Sequence, residues 1–271
     1  MQLAVNIVVL TAIYALISCG YVLVYRVSRV LNLTHGELMM LGAYGLLATA
    51  SLFGGHPGLA LAAAGGFALA VGVAVYWGLM LRMTGESVLA AVLCTIALGI
   101  LLRGVVTLAW GAQQEYPLAE LGWTNPSIHV VYAGLFAFLR HTRWGIRMRA
   151  AGQNPLLAAQ RGIRLHGVYA LAWGLATFTG GLAGMLIALD SGLQATMVTI
   201  GLKAFPAALV GGLDSLVGAL VGSLIVGAAE VLLIQYVDPL LSDVAPFFIL
   251  LAMLVARPWG LFGTREEIDR V

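Results

Sequence analysis

DSGLQATMVTIGLKAFPAALVGGLDS, residues 190–215, stands between two long apolar runs and decides how the chain is read. It is apolar enough for hydrocarbon, yet Gly192, Gly201, Pro206 and the Gly211–Gly212 pair interrupt any continuous helix through it. Backbone of that kind is tolerated at membrane depth only when it is buried in protein or lines a cavity. The stretch is therefore expected to be a discontinuous helix within a bundle. Composition agrees. The chain is 61% hydrophobic and 10% charged, against roughly 45–50% and about 25% in soluble domains. Its 34 glycines suit helices that approach one another closely in lipid. The expected fold is an all-α, polytopic membrane bundle that forms a single transmembrane domain over residues 1–271.

With about 20 apolar residues per crossing, spans are expected at 3–25, 33–53, 58–81, 88–110, 126–140, 167–189, 216–236 and 244–256. The broken segment near 190–215 adds one more crossing. Arg26 and Arg29, Arg82, the loop at 140–166 and Arg257 alternate with loops that hold Glu115 and Glu120, or Asp238 and Asp243. The 140–166 loop contains Arg140, Arg143, Arg147, Arg149, Arg161 and Arg164 and no acidic residue. Cytoplasmic loops carry the excess of Lys and Arg, so the N-terminus is expected outside and the C-terminus inside. No Lys or Arg precedes Arg26, which argues for a retained first span over a cleaved signal peptide.

Several chemistries are excluded. The net charge is only +2 and the arginines form no basic face for nucleic acid. Lys203 is the single lysine, and no G-x-x-x-x-G-K-[ST] phosphate loop surrounds it. His35-Gly36-Glu37 lacks the second histidine of a zinc pair. Cys19 and Cys94 lie inside apolar runs and read as packing residues. Asp190 and Asp214 would sit at opposite ends of the broken segment, too far apart for a carboxylate dyad. No enzyme activity, cofactor or metal is expected in this chain.

Two groups of residues invite a functional reading. Within RMRAAGQNPLLAAQRGIRLHGV, residues 147–168, Asn154 is placed to cap a helix, Pro155 to open it and Gly162 to close it. A helix of about two turns is unstable alone, so it needs this chain or a partner groove to hold it, unless it is a surface loop against anionic lipid heads. The second group lies at membrane depth. Glu230 stands inside its span and Lys203 inside the broken segment, and the two are expected to lie near one another. Fixing the broken helix and facing a transport path both remain open for that pair. Asn32, His35 and Glu37 open the second span; capping by Asn32 or Thr34, with Glu37 reaching back, competes with a gating role. Arg103 is expected to snorkel or to pair with an outer-loop acid. Gly180 with Gly184, and Gly218 with Gly222, each mark one helix face open to close packing.

AIYALISCGYVLVYRVSRVLNLTHGELMMLGAY (12–44), TRWGIRMRAAGQNPLLAAQRGI (142–163), GLKAFPAALVGGLDSLVGALVGSLIVGAAE (201–230) and RPWGLFG (257–263) occur in this order. Together they resemble the high-affinity branched-chain amino acid ABC transporter permeases, the Liv-type inner-membrane permeases. The resemblance implies two permeases as the membrane core, a heterodimer more often than a homodimer. It also implies two ATPase subunits that bind ATP and Mg beneath them, and a periplasmic protein that delivers substrate. On that pattern the ATPase-coupling residues are Arg149, Asn154, Pro155, Leu156, Ala158, Ala159 and Gly162, and the candidates for path or gate are Asn32, His35, Glu37, Lys203 and Glu230. The implied substrates are leucine-type amino acids, with amides, urea and aromatic acids among relatives. Broken helices and ionisable residues at depth equally suit a stand-alone secondary transporter or channel. An intramembrane hydrolase built on Asp190 or Asp214 is a remote third class.

Overall fold

The computed structural model describes residues 2–53, 56–111, 113–115 and 141–264. The expected span at 126–140, with Glu120 and Arg140, lies outside the described residues. Those described form an all-helical bundle. α1 is Gln2–Ser28, α2 His35–Leu52 and α3 Pro57–Val75, which continues through a π turn at Tyr76–Met80 into Leu81–Met83. α4 is Val88–Trp110. α5 (Arg143–Gln153) and α6 (Pro155–Gln160) are short, and α7 is Leu165–Ser191. α8 is Val198–Gly211, α9 Leu216–Tyr236, α10 Pro239–Ser242 and α11 Ala245–Ala256.

Five helices are long and apolar enough to cross a membrane unaided: α1, α3 with its extension, α4, α7 and α9. The other candidate spans differ in kind. α11, at 12 residues, is about 18 Å long, shorter than the roughly 30 Å hydrocarbon core. α2 starts inside the bundle. Its first residue, His35, sits against Ile17 and Gly20 of α1, well before that helix ends at Ser28.

The segment at 190–215 is discontinuous, but two of its expected breaks are not breaks. Chain direction changes at Gly192 and Gly212, which take φ of 84° and 105°. Gly201 and Pro206 lie inside α8. Gly201 is there for contact, because a Cβ on it would lie 2.5 Å from the Cα of Gly36 in α2. Proline removes one helical N–H. Around it, the Tyr21 hydroxyl donates to the Gly201 carbonyl (3.2 Å) and the Ser18 hydroxyl to the Ala204 carbonyl (2.9 Å). Hydroxyls of α1 thus bond the carbonyls of Gly201 and Ala204, on either side of the Leu202 carbonyl that the proline leaves without a helical donor.

α1 and α7 form the centre. α1 packs on α7 and α9, α7 on α2 and α3, and α8 on α9, α1 and α2. α4 leans chiefly on α2 through a narrow buried stripe of Ala91, Thr95, Gly99 and Val106. The two glycine pairs work as their spacing suggests. A Cβ on Gly184 would stand 2.5 Å from the Met39 carbonyl oxygen, and one on Gly222 would stand 2.1 Å from that of Ala207.

The basic end of the bundle is tied together by its loops. Arg29, at φ 55°, pairs with Asp214 at 3.0 Å, and the Thr264 hydroxyl donates to the same carboxylate. Leu261 and Phe262 donate their backbone N–H groups to the Val210 and Gly211 carbonyls. RPWGLFG therefore caps the end of α8, where helix carbonyls otherwise lack partners. At the opposite end, Glu115 and Leu193 exchange two backbone hydrogen bonds and join the loops after α4 and α7.

Gly201→Ala should destabilise the detergent-purified chain by about 1–3 kcal/mol, as overpacking does, because the atom it meets is backbone. Gly66→Ala, which meets nothing within 4 Å, should leave the melting midpoint unchanged or raise it. Equal midpoints for the two variants would contradict the close α2–α8 contact.

Candidate functional site

The chain leaves α1 at the basic end and turns back into the bundle over residues 29–34 before α2 begins. Here the capping expectation fails. Thr34 stands at the N-cap position of α2 but makes no side-chain cap. Its hydroxyl donates instead to the Thr95 carbonyl, and the Thr95 hydroxyl accepts from the Leu33 N–H at 3.3 Å. α4 thereby holds the re-entrant segment that α2 would otherwise have to hold itself.

His35 is fully buried. Its Nε2–H donates to the Ile17 carbonyl at 3.1 Å, and its ring meets Tyr21 edge-on at 4.6 Å. Gly20 makes room for it: a Cβ there would lie 2.3 Å from the imidazole. Asn32 is 2% exposed, and neither atom of its amide meets a partner among the described residues; His35 Nδ1 is likewise without one.

Glu37 does not reach back to the cap either. It accepts from Arg103 Nη2 at 2.8 Å, so Arg103 neither snorkels outward nor pairs with an outer loop. A Cβ on Gly99 would lie 3.0 Å from the Glu37 carboxyl carbon. Gly99 is the central residue of α4, so the guanidinium bends back towards the middle of that helix. The Glu37 side chain is 9% exposed and that of Arg103 53%. The result is an ion pair beside the middle of α4, enclosed on its Glu37 side and open on its Arg103 side.

A second charged group fixes the broken segment. Lys203 on α8 donates to Glu230 on α9 at 3.0 Å and to Asp243, between α10 and α11, at 2.6 Å. The Tyr14 hydroxyl of α1 donates to the other Glu230 oxygen at 2.6 Å. Lys203 and Glu230 thus meet, and the group binds α1, α8, α9 and the loop before α11. Asp243, 70% exposed at its side chain, is its outlet to solvent.

At the basic end the helix expected near 154–161 is present as α6. The Asn154 side chain accepts from the Leu157 N–H at 3.0 Å, Pro155 opens the helix, and Gly162 closes it at φ 79°. Leu156 and Leu157 are 70% and 56% exposed, and Ala159 is exposed as well. Ala158, grouped with the coupling residues, faces inward and is buried against this chain. Arg149 lies in α5, with its side chain outside the described residues. Sequence reasoning missed Thr95, Tyr14, Asp243 and the Arg103–Glu37 pairing. Only the charge of Arg103 and Glu37 at depth signalled any of these.

Comparison with known proteins agrees with this architecture. A family model described as "Branched-chain amino acid transport system / permease component" matches residues 3–255. The chain is 29% identical to the high-affinity branched-chain amino acid transport system permease protein LivH of Escherichia coli K12, over 100% of this chain and 97% of the relative. It is 26% identical to the permease protein BraD of Pseudomonas aeruginosa, over 100% and 98% of the two chains. It is 27% identical to a probable permease protein LivH of Methanocaldococcus jannaschii, over 94% and 90%. No solved structure matches the chain.

Lys203→Met should cost more stability than Glu230→Gln. It strands a buried carboxylate that only Tyr14 then bonds, whereas Glu230→Gln leaves Lys203 with Asp243. Breaking a buried pair costs about 3–5 kcal/mol, and the double variant should recover part of that loss. Thermal unfolding in detergent measures all three, and strict additivity would contradict the coupling.

Proposed function

The chain belongs to the family of permease components of branched-chain amino acid transport systems, and from that premise we propose that it is a membrane subunit of an ATP-driven importer. It takes a branched-chain or related small hydrophobic amino acid from a periplasmic binding protein and passes it inward across the inner membrane. The second permease is a related chain, and two ATPase subunits that bind ATP and Mg dock beneath the pair. The basic end is then cytoplasmic, with the N-terminus outside and the C-terminus inside.

The observation that carries this reading is α6. Six residues cannot hold a helix in water, yet this one is capped at both ends and offers Leu156 and Leu157 outward from the basic end. Two adjacent exposed leucines on a pre-formed helix suit an apolar groove in an ATPase subunit. Closure of the ATPase pair on ATP would push α6, and α5 would pass the movement on, because Met148 and Ala151 pack beneath α1 and α7.

The path runs along the open side of the Glu37–Arg103 pair. A charge facing lipid at mid-membrane costs about 2.5–3.5 kcal/mol on insertion scales and normally faces a cavity or a partner instead. The side of α4 that bears Arg103 therefore borders the water-filled route between permeases. Arg103 meets the substrate carboxylate there, Glu37 holds the guanidinium from the enclosed side, and the amide of Asn32 lies near the same helix start. Broken helices that begin at depth also favour a stand-alone carrier, which needs no partner at α6.

In proteoliposomes holding the complete transporter, Leu156→Asp with Leu157→Asp should cut ATP-driven uptake at least tenfold while the permease stays at wild-type levels in the membrane. Arg103→Gln should raise the substrate KM with a smaller effect on basal ATP hydrolysis. Uptake by the chain alone, without ATP and insensitive to the leucine changes, would establish the carrier reading instead.

A further inference from the structure

A cavity of about 740 Å³ opens at the basic end, between the π turn of α3, α5 and the first turn of α7. It is lined by Trp77, Trp144, Arg147, Arg164, His166 and the backbone around Gly162. None of these belongs to the ion pairs described above. The π turn has a local consequence: it brings Tyr76 within 2.9 Å of His166 Nδ1 and places the Trp77 ring 6.4 Å from the imidazole. π turns inside helices frequently mark functional positions.

Among the described residues no carboxylate pairs with the basic groups of this cavity. No Asp or Glu occurs between His141 and Val168. None of the ion pairs among the described residues includes Arg147 or Arg164. The Arg147 guanidinium lies 5.2 Å from the centre of the Trp144 ring, so an aromatic face orients it. Trp77 and Trp144 are 49% and 43% exposed. Trp77 lies near the basic end of the α3 span and Trp144 on α5 beside it, and half-exposed indoles at a span's end mark the level of the lipid headgroups. Two free guanidiniums, two interfacial indoles and a concave space thus coincide at headgroup depth.

We propose that this cavity binds one anionic phospholipid from the leaflet at the basic end. Arg147 and Arg164 take its phosphate, and Trp77 and Trp144 flank the glycerol and the upper part of an acyl chain. Basic pockets between membrane helices on the cytoplasmic side recognise anionic headgroups in this way. The site adjoins Gly162, where α6 ends, so the lipid braces the segment that carries α6 against α3 and α7. This inference is independent of the substrate and of the ATPase reading.

The test is native mass spectrometry of the full chain in detergent, titrated with phosphatidylglycerol and, separately, phosphatidylcholine. One phosphatidylglycerol should be retained in preference to phosphatidylcholine. Each basic residue near the surface contributes about a fivefold factor in anionic-lipid binding, so Arg147→Gln with Arg164→Gln should weaken retention by roughly 10- to 30-fold. Arg143→Gln with Arg161→Gln removes the same charge outside the cavity and should leave retention near wild type. Equal losses in both double variants would mean diffuse attraction and overturn the site. Equal retention of the two lipids would overturn it, as would protection of the chain by inorganic phosphate alone. If the ATPase-bound transporter excluded the lipid, the cavity would be a subunit contact, and the proposal would fail.

Discussion

A charge inside hydrocarbon has to be matched by another charge or by water, and the arrangement of this bundle follows from where it meets that demand. Glu37 and Arg103 join α2 to α4, and Lys203, Glu230, Asp243 and Tyr14 join α8 to α9, α1 and the loop before α11. α2 begins within the bundle, with Thr34, His35 and Gly36 buried, whereas α8 begins with Thr199 exposed. The Thr34–Thr95, Leu33–Thr95 and His35–Ile17 bonds tie the re-entrant start of α2 to α4 and α1, and the two ion-pair groups tie α2 and α8 to their neighbours. Gly36 and Gly201 let the two interrupted helices touch backbone to backbone.

The two charged groups differ in what they leave open. Lys203 and Glu230 are largely enclosed, and their outlet is Asp243 at the acidic end. Arg103 is half exposed on the flank of α4, a helix that buries only a narrow stripe of itself. An enclosed group suits holding, and an open one suits meeting a solute. The basic end has a third task. α6, the RPWGLFG turn over α8 and the Arg29–Asp214 pair all lie there, and the last two tie the end of α1 to the end of α8.

Much of this was legible in the sequence because it depends on local rules. The bundle follows from long apolar runs, and α6 from Asn154, Pro155 and Gly162 at cap, start and stop. The long-range partners were not legible, since no local pattern links Glu37 to a residue 66 positions away. Gly201 and Pro206 read as helix breakers because propensity favours that reading, yet tertiary contacts overrode it: a glycine was needed for approach, and hydroxyls from α1 served the proline turn. Thr34 looked like a cap by spacing and was claimed by α4 instead. Arg29 and Asp214, 185 positions apart, entered the sequence reading separately and are each other's partners.

The central claim is that the Arg103 side of α4 borders water at mid-membrane, and thiol accessibility tests it most directly. With Cys19 and Cys94 removed, single cysteines at Ile96, Ile100 and Thr107 share the helical side of Arg103, whereas Leu101, Val105 and Leu108 lie on the far side. A charged, membrane-impermeant thiol reagent applied to the assembled transporter should label the first three and spare the last three, and substrate should protect the first set. Inertness of both sets, or labelling confined to the far side, would contradict the account.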